Sequence, residues 1–459
     1  MLTPQLILLA AFGALAVASV ASISTRVDPG HVVTVGLVLG VFSGNWRNLG
    51  LPIGIDRFFV VWGIFLALLK WRKEGWRGLR LDGVPLILAL LAGYAIVSAT
   101  WSGHLVEKRS GFALLDQLGL LPFLLFVMAP VIYGHPAQRR GLLVGLVALG
   151  GYLGVTAVFE TIGATQLLFP RYIADPNVGI HFGRARGPFV EASANGGALT
   201  VCLIASIMAF ASWREVAYRR IALAVALLCA IGIVGTVTRE VWLAAAVSGL
   251  VTLAAFRPLR RFLVPALLAG ALVVAGSLAL VPGLSTRANE RTKVQTSVWD
   301  RLNSNRAAIH MIDARPTLGF GWGTFAEASP PFYTQAATYP VTSVAQLHNV
   351  ALSILAELGV AGFVLWISAF LGAAWRALSR RGPPELERWR MGLLAVLLNF
   401  IVLSNFAPLT FPFGNYIVWV WLGILYASAR TLPVQEILVH RGTPSRPPDP
   451  APEPELVAV

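Results

Sequence analysis

The sequence predicts an all-α polytopic integral membrane protein of about 12 (12–13) transmembrane helices, with one large extracytoplasmic loop containing short helices. Three observations predict it. The chain is 56% hydrophobic and only 13% charged, with a mean hydropathy of +0.70, where a soluble domain carries roughly 25% charged residues. Apolar runs long enough to cross a ~30 Å hydrocarbon layer recur from end to end. The loops between them also alternate in charge.

The runs fall at residues 4–22, 31–44, 54–70, 83–100, 112–133, 141–160, 191–212, 221–237, 241–256, 262–283, 350–375, 391–407 and 414–428. The second is short, either re-entrant or one arm of a bent pair with the third. The first lacks a basic segment ahead of it and is followed by more spans, so it reads as a retained helix rather than a cleaved signal. Arg72, Lys73, Arg77 and Arg80 follow the third run, Arg139 and Arg140 the fifth, and Arg214, Arg219 and Arg220 the seventh. Arg257, Arg260 and Arg261 follow the ninth, and Arg376, Arg380, Arg381, Arg388 and Arg390 the eleventh. Loops of that kind stay in the cytoplasm. The alternate loops, 101–111, 161–190, the turn at Arg239, 284–348 and 408–413, then face outward.

This division gives four segments: a transmembrane bundle over 1–283, an extracytoplasmic catalytic or lid loop over 284–348, C-terminal transmembrane helices over 349–430, and a tail over 431–459. Proline-rich and polar, the tail has too little apolar surface to build a core. The net charge of +14 sits in the short loop clusters, which points to a lipid bilayer as partner and not to nucleic acid. Cys202 and Cys229 lie inside apolar runs and read as buried, unpaired thiols.

Unusual residues gather on the outward side. Arg184 and Arg186 precede Gly187-Pro188, with Asn195 in the first turns of the next helix. Arginine binds phosphate through paired, charge-assisted hydrogen bonds, and helix N-termini add free N–H groups; alternatively such arginines snorkel to headgroups. Arg239 and Glu240 occupy a turn too short to leave the membrane interface, where a charge is costly unless it faces protein or a wet cavity. His348, followed by Asn349, ends the longest polar stretch at the mouth of an apolar helix carrying Glu357, Gly359 and Gly362. Histidine accepts a proton near neutral pH, although a lone histidine is more often a hydrogen-bonding residue. The outer-loop acids Asp175, Asp300 and Asp313 stand apart, so no metal site and no cofactor is expected. Phe320, Trp322, Phe325, Phe332, Tyr333 and Tyr339 could stack on sugars or form the loop's own core; the core is favoured for Phe320 and Trp322. No internal repeat is evident, which disfavours a transporter built from inverted halves.

Four stretches together resemble the O-antigen ligase and Wzy-type polymerase superfamily of bacterial envelopes. They are Arg184 to Phe189 with Asn195; Thr238-Arg239 with Trp242-Leu243; Asp300-Arg301 with Ala308 to Phe325; and His348-Asn349 with Leu352, Glu357 to Gly359 and Gly362. Ala194 stands where the family usually has proline. The resemblance implies a multi-pass enzyme of the bacterial cytoplasmic membrane, active on its outer face. Its donor would be a polyprenyl (undecaprenyl) diphosphate-linked oligosaccharide and its acceptor a glycan or glycolipid, with no metal. It further implies that Arg184 or Arg186 and Arg239 hold the diphosphate, with Asn195, Asn349 and Arg301 also on the substrates. His348 would then take the acceptor's proton, and the anomeric carbon would invert. Ligase and polymerase stay unresolved; a lipid or glycan transporter and a non-enzymatic scaffold are the readings from other classes.

Overall fold

A computed structural model describes residues 27–51, 54–73, 83–281, 283–293, 296–334, 347–379 and 383–428. The predicted first span, Tyr339 and the proline-rich tail lie outside them. The described residues contain helices and no strand. That follows from the solvent: backbone groups inside a bilayer must bond internally, which a helix does within one segment.

In chain order the helices are α1 (Pro29–Leu39), α2 (Ile55–Lys73), α3 (Val84–Trp101), α4 (Lys108–Ala113), α5 (Leu120–Ile132), α6 (Pro136–Ile162), α7 (Ala192–Ser212) and α8 (Val216–Gly235). They continue as α9 (Arg239–Ala255), α10 (Leu263–Leu280), α11 (Leu284–Lys293), α12 (Thr296–Ala314), α13 (Phe325–Ala328), α14 (Val350–Ser379), α15 (Glu387–Ser404) and α16 (Pro412–Ser428). Among the described residues, seven helical segments are long and apolar enough to cross a membrane: Val84–Trp101, Ser110–Ile132, Pro136–Ile162, Ala192–Ser212, Val216–Gly235, Arg257–Leu280 and Val350–Ser379. The expected runs at 31–44, 54–70, 241–256, 391–407 and 414–428 also form helices, but shorter ones or ones with charged ends.

α16 is the axis of the bundle. Phe413, Tyr416, Trp419 and Trp421 are all buried on it, and it packs on α5, α14 and α15. A helix apolar on every side belongs in an interior. Trp421 donates its indole N–H to the Trp389 carbonyl, 2.9 Å away, so the ring is buried with its one polar atom satisfied. Small residues let neighbouring helices close up: Gly150 and Gly154 of α6 lie against α7 and α8, where Cys202 and Cys229 are buried as free thiols. α10 is the opposite case: Ser277 is its one buried residue, and most of the others are exposed.

The loops sort to two ends. At one, Arg139 pairs with Glu385 at 2.9 Å, joining two of the basic loops. Asp28 caps α1 at this same end, accepting from Gly30 N and from Gln138 Nε2, both at 2.7 Å. At the other end Asn45 donates to Pro188 O. Residues 29–45 therefore run from one end to the other and α2 returns, so of the two readings of this segment the structure has the paired one.

Candidate functional site

The second end gathers the candidate residues. Asn195 organises the arginine segment: its Nδ2 donates to Ala185 O at 3.0 Å, while Ala185 N donates to Gly235 O at 2.9 Å. The segment is thereby laced to the end of α8. Arg186 is 1% exposed. Its guanidinium donates to Val178 O (2.7 Å), Ile173 O (2.8 Å) and Asp175 O (2.6 Å), and lies 4.9 Å from the Phe182 ring centroid. The fork assigned to a diphosphate is thus engaged by three carbonyls that pin the 171–178 loop. Arg184 is half-buried beside it, on the strand of chain that faces the α8–α9 turn.

That turn is built from its own side chains. Thr236 Oγ1 donates to Ile233 O (2.7 Å), Thr238 Oγ1 to Thr236 O (2.8 Å), and Trp242 Nε1 to Ile233 O (2.9 Å). These bonds spend donors that would otherwise compete with the helix ends, and they leave Arg239 exposed as the first residue of α9. Glu240 turns inward. Its Oε1 accepts from Arg301 of α12 at 2.9 Å and from Ser193 of α7 at 3.0 Å. Nearby Glu191, which precedes α7, is pushed up to about 7 by burial, with the Glu240 charge adding to the shift. A second arginine of the polar stretch, Arg287, donates to Gly183 O (2.7 Å) and Thr161 O (3.0 Å). α11 and α12 are therefore tied to both arginine turns.

His348 is reached from α12. Seven residues beyond Arg301, about two helical turns or ~10 Å, Ala308 and then Met311 pack with Leu347, Phe325 and Ala356 in a small buried cluster. Asn349 caps α14: its Oδ1 accepts from Leu352 N at 3.0 Å, and its Nδ2 lies 3.4 Å from Asn405 Oδ1. His348, half-buried, sits between the buried Leu347 and this cap.

The glycine-spaced turn fastens the same stretch from the other side. Here α14 is broken at Gly359 (φ 64°, ψ −171°). Into the break, Phe320 N donates to Ala356 O and Gly321 N to Glu357 O; in return Val360 N and Ala361 N donate to Pro316 O and Thr317 O. The Glu357 side chain accepts from Phe325 N at 3.0 Å. Trp322 is buried with its indole N–H on Ser110 O (3.1 Å), and Phe320 packs edge-on to Phe332 at 5.4 Å. Trp322 belongs to the core, and Phe320 is half-buried against the cluster of Met311 and Phe325. Arg301, Asn349 and Asn195 accordingly hold elements together, whereas Arg184, Arg239 and His348 sit at the junctions those elements make. Among the described residues no three His, Cys, Asp or Glu side chains group as metal ligands would.

Residues 223–367 match the family model described as O-antigen ligase. Over that stretch the chain is similar to the O-antigen ligase family. No curated protein matches the chain. The matched segment runs from α8 to the middle of α14, so it contains Arg239, Arg301, His348 and Asn349, while Arg184, Arg186 and Asn195 lie ahead of it.

A cavity of ≈ 760 Å³ opens against the matched segment. Trp322, Leu347, Val350 and Glu357 supply one wall from within the segment; residues 43–57 and 107–118 supply another from outside it. Arg57 Nε donates to Asp116 Oδ2 at 3.1 Å, and Tyr416 OH to Asp116 Oδ1 at 2.6 Å. The sequence motifs pointed to neither Arg57 nor Arg287, and they placed Glu240 in its turn without a partner. Arg57 was detectable as a charge inside an apolar run; Glu240 and Arg287 acquire their roles through contacts more than 40 residues away in the chain.

Proposed function

We propose that the chain is a membrane glycosyltransferase of the O-antigen ligase or polymerase type. It moves a glycan from a polyprenyl (undecaprenyl) diphosphate to an acceptor sugar hydroxyl at the outer face of the bacterial cytoplasmic membrane. The observation that carries this reading is the meeting, at one end of a bundle whose residues 223–367 are similar to the O-antigen ligase family, of two arginine turns with the segment that leads to His348. Residues 284–348 act as the extracytoplasmic catalytic segment.

Arg184 and Arg239 hold the diphosphate. A donor placed where charge grows on the leaving group is worth roughly 3–4 kcal/mol, and neither step calls for a metal. Arg186 and Asn195 support Arg184 by fixing its loop, and Arg301 supports Arg239 by anchoring Glu240 next to it. His348 accepts the proton of the attacking hydroxyl, a contribution of ~10²–10⁴-fold. The hydroxyl oxygen bonds to the anomeric carbon as the bond to the diphosphate oxygen breaks, so a single displacement inverts that centre. The test is reconstitution with a polyprenyl diphosphate oligosaccharide and candidate acceptors. A ladder of products identifies a polymerase and one addition to a lipid-anchored core a ligase. His348→Ala and Arg239→Ala proteins are expected to insert normally and lose transfer by at least 100-fold; full transfer by inserted His348→Ala protein removes the proposed base.

A further inference from the structure

Several features of the ≈ 760 Å³ cavity distinguish it from the arginine turns. Its size is that of a small-molecule site, typically ~300–1,000 Å³. Arg184 and Arg239 are absent from its wall, but Leu347 and Val350, on either side of His348 and Asn349, are on it. A second cavity of ≈ 50 Å³ shares the Phe400 and Leu409–Phe411 partition and is lined by Glu191 and Ser193. Ser193 is hydrogen-bonded to Glu240, the neighbour of Arg239. The start of α14 and that partition thus stand between the large cavity and the arginine turns.

The lining is mixed in a particular way. Arg57 bonds Asp116 through Nε and Nη2, which leaves Nη1 with no partner among the described residues. Its guanidinium also lies 4.6 Å from the Phe112 ring centroid. Gln117 and Ser353 line the cavity without side-chain hydrogen bonds among the described residues, and Trp46 and Trp366 add aromatic surface. A hydrocarbon tail laid on this wall would strip water from Arg57 and Gln117 and give no bond in return, which is unfavourable for each group. Sugar hydroxyls both donate and accept, and their C–H faces stack on rings.

We infer that this cavity is the acceptor site: it takes the non-lipid glycan whose hydroxyl is presented to His348, with Arg57, Gln117 and Ser353 bonding its hydroxyls. The inference rests on the proposed glycosyl transfer for the word acceptor, but the binding it asserts can be measured without turnover. The probes are a lipid-free oligosaccharide released from the host's own envelope and a sugar-free polyprenyl diphosphate, each titrated against intrinsic tryptophan fluorescence of the full chain in detergent. Gln117→Ala, and Ala326→Trp to fill the cavity, are expected to weaken oligosaccharide binding by tenfold or more while polyprenyl diphosphate binding is unchanged. Arg184→Ala is expected to do the reverse. Loss of polyprenyl diphosphate binding in the cavity variants overturns the inference in favour of a lipid-carrier site. Unchanged oligosaccharide affinity in those variants, or no binding by the parent protein, overturns it outright. Oligosaccharide binding that depends on Gln117 in a protein that transfers no glycan leaves the cavity assignment standing and removes the proposed function.

Discussion

At the residue scale, two arginines two positions apart have opposite surroundings. Arg186 is sealed in and bonds three carbonyls, whereas Arg184 is half-buried beside the α8–α9 turn. Removing a buried charged donor strands its acceptors, at ~1–3 kcal/mol or more. Arg186→Ala is therefore expected to lower the detergent-solubilised protein's melting temperature by several degrees, and Arg184→Ala to leave it unchanged while abolishing transfer. Thermal unfolding alongside a transfer assay separates the two. Glu191 makes a second case. Its folded pKa is raised to about 7, above an ordinary carboxylate near 4.5, so the folded state holds the proton more tightly than the unfolded one. The stability this group contributes is then fully present below pH 4.5 and is lost as pH rises through about 7. Glu191→Gln is expected to flatten that decline, by about 1–3 kcal/mol, in unfolding curves taken from pH 5 to 8.

At the element scale, α14 matters for where it breaks. An unbroken helix would have kept the Ala356 and Glu357 carbonyls for itself; the break offers them to Phe320 and Gly321. Only glycine suits Gly359, because its φ is positive and a Cβ there would lie 2.3 Å from Thr317 O. Strain of this kind costs ~1–3 kcal/mol. Gly359→Ala is expected to loosen the 316–325 stretch from α14, seen as faster amide hydrogen exchange there, and to reduce transfer at least tenfold. Exchange unchanged from the parent protein would mean that the break is not set by this residue. The Gly359 motif was visible in the sequence, but as a feature of a helix start. Its partner strand of chain was not, since nothing in a local pattern says which distant amides will fill a broken helix.

At the scale of the whole molecule, the two ends differ in charge and in content. One carries Arg139 with Glu385; the other carries both arginine turns, α11, α12 and the start of α14. Single cysteines at the exposed Glu290 and Glu215 are expected to label from opposite sides of sealed vesicles with an impermeant thiol reagent. The native Cys202 and Cys229 are buried and stay silent. Labelling of both new cysteines from one side would undo the proposed sidedness.

By itself the sequence determined the membrane class, the apolar helices, the alternation of basic loops and the four motif stretches. Each is a local property: hydropathy over about 20 residues, charge over a short loop, or residue identity at close spacing. The tertiary structure decided that Arg186 is structural in its bonding, that Glu240 meets Arg301 and Ser193, and that a cavity lies beside α14 with its other wall drawn from residues 43–57 and 107–118. Those outcomes depend on which polar groups become neighbours once the helices are packed. In a bilayer interior a buried donor must find an acceptor somewhere, but the pairing is chosen by geometry across hundreds of residues.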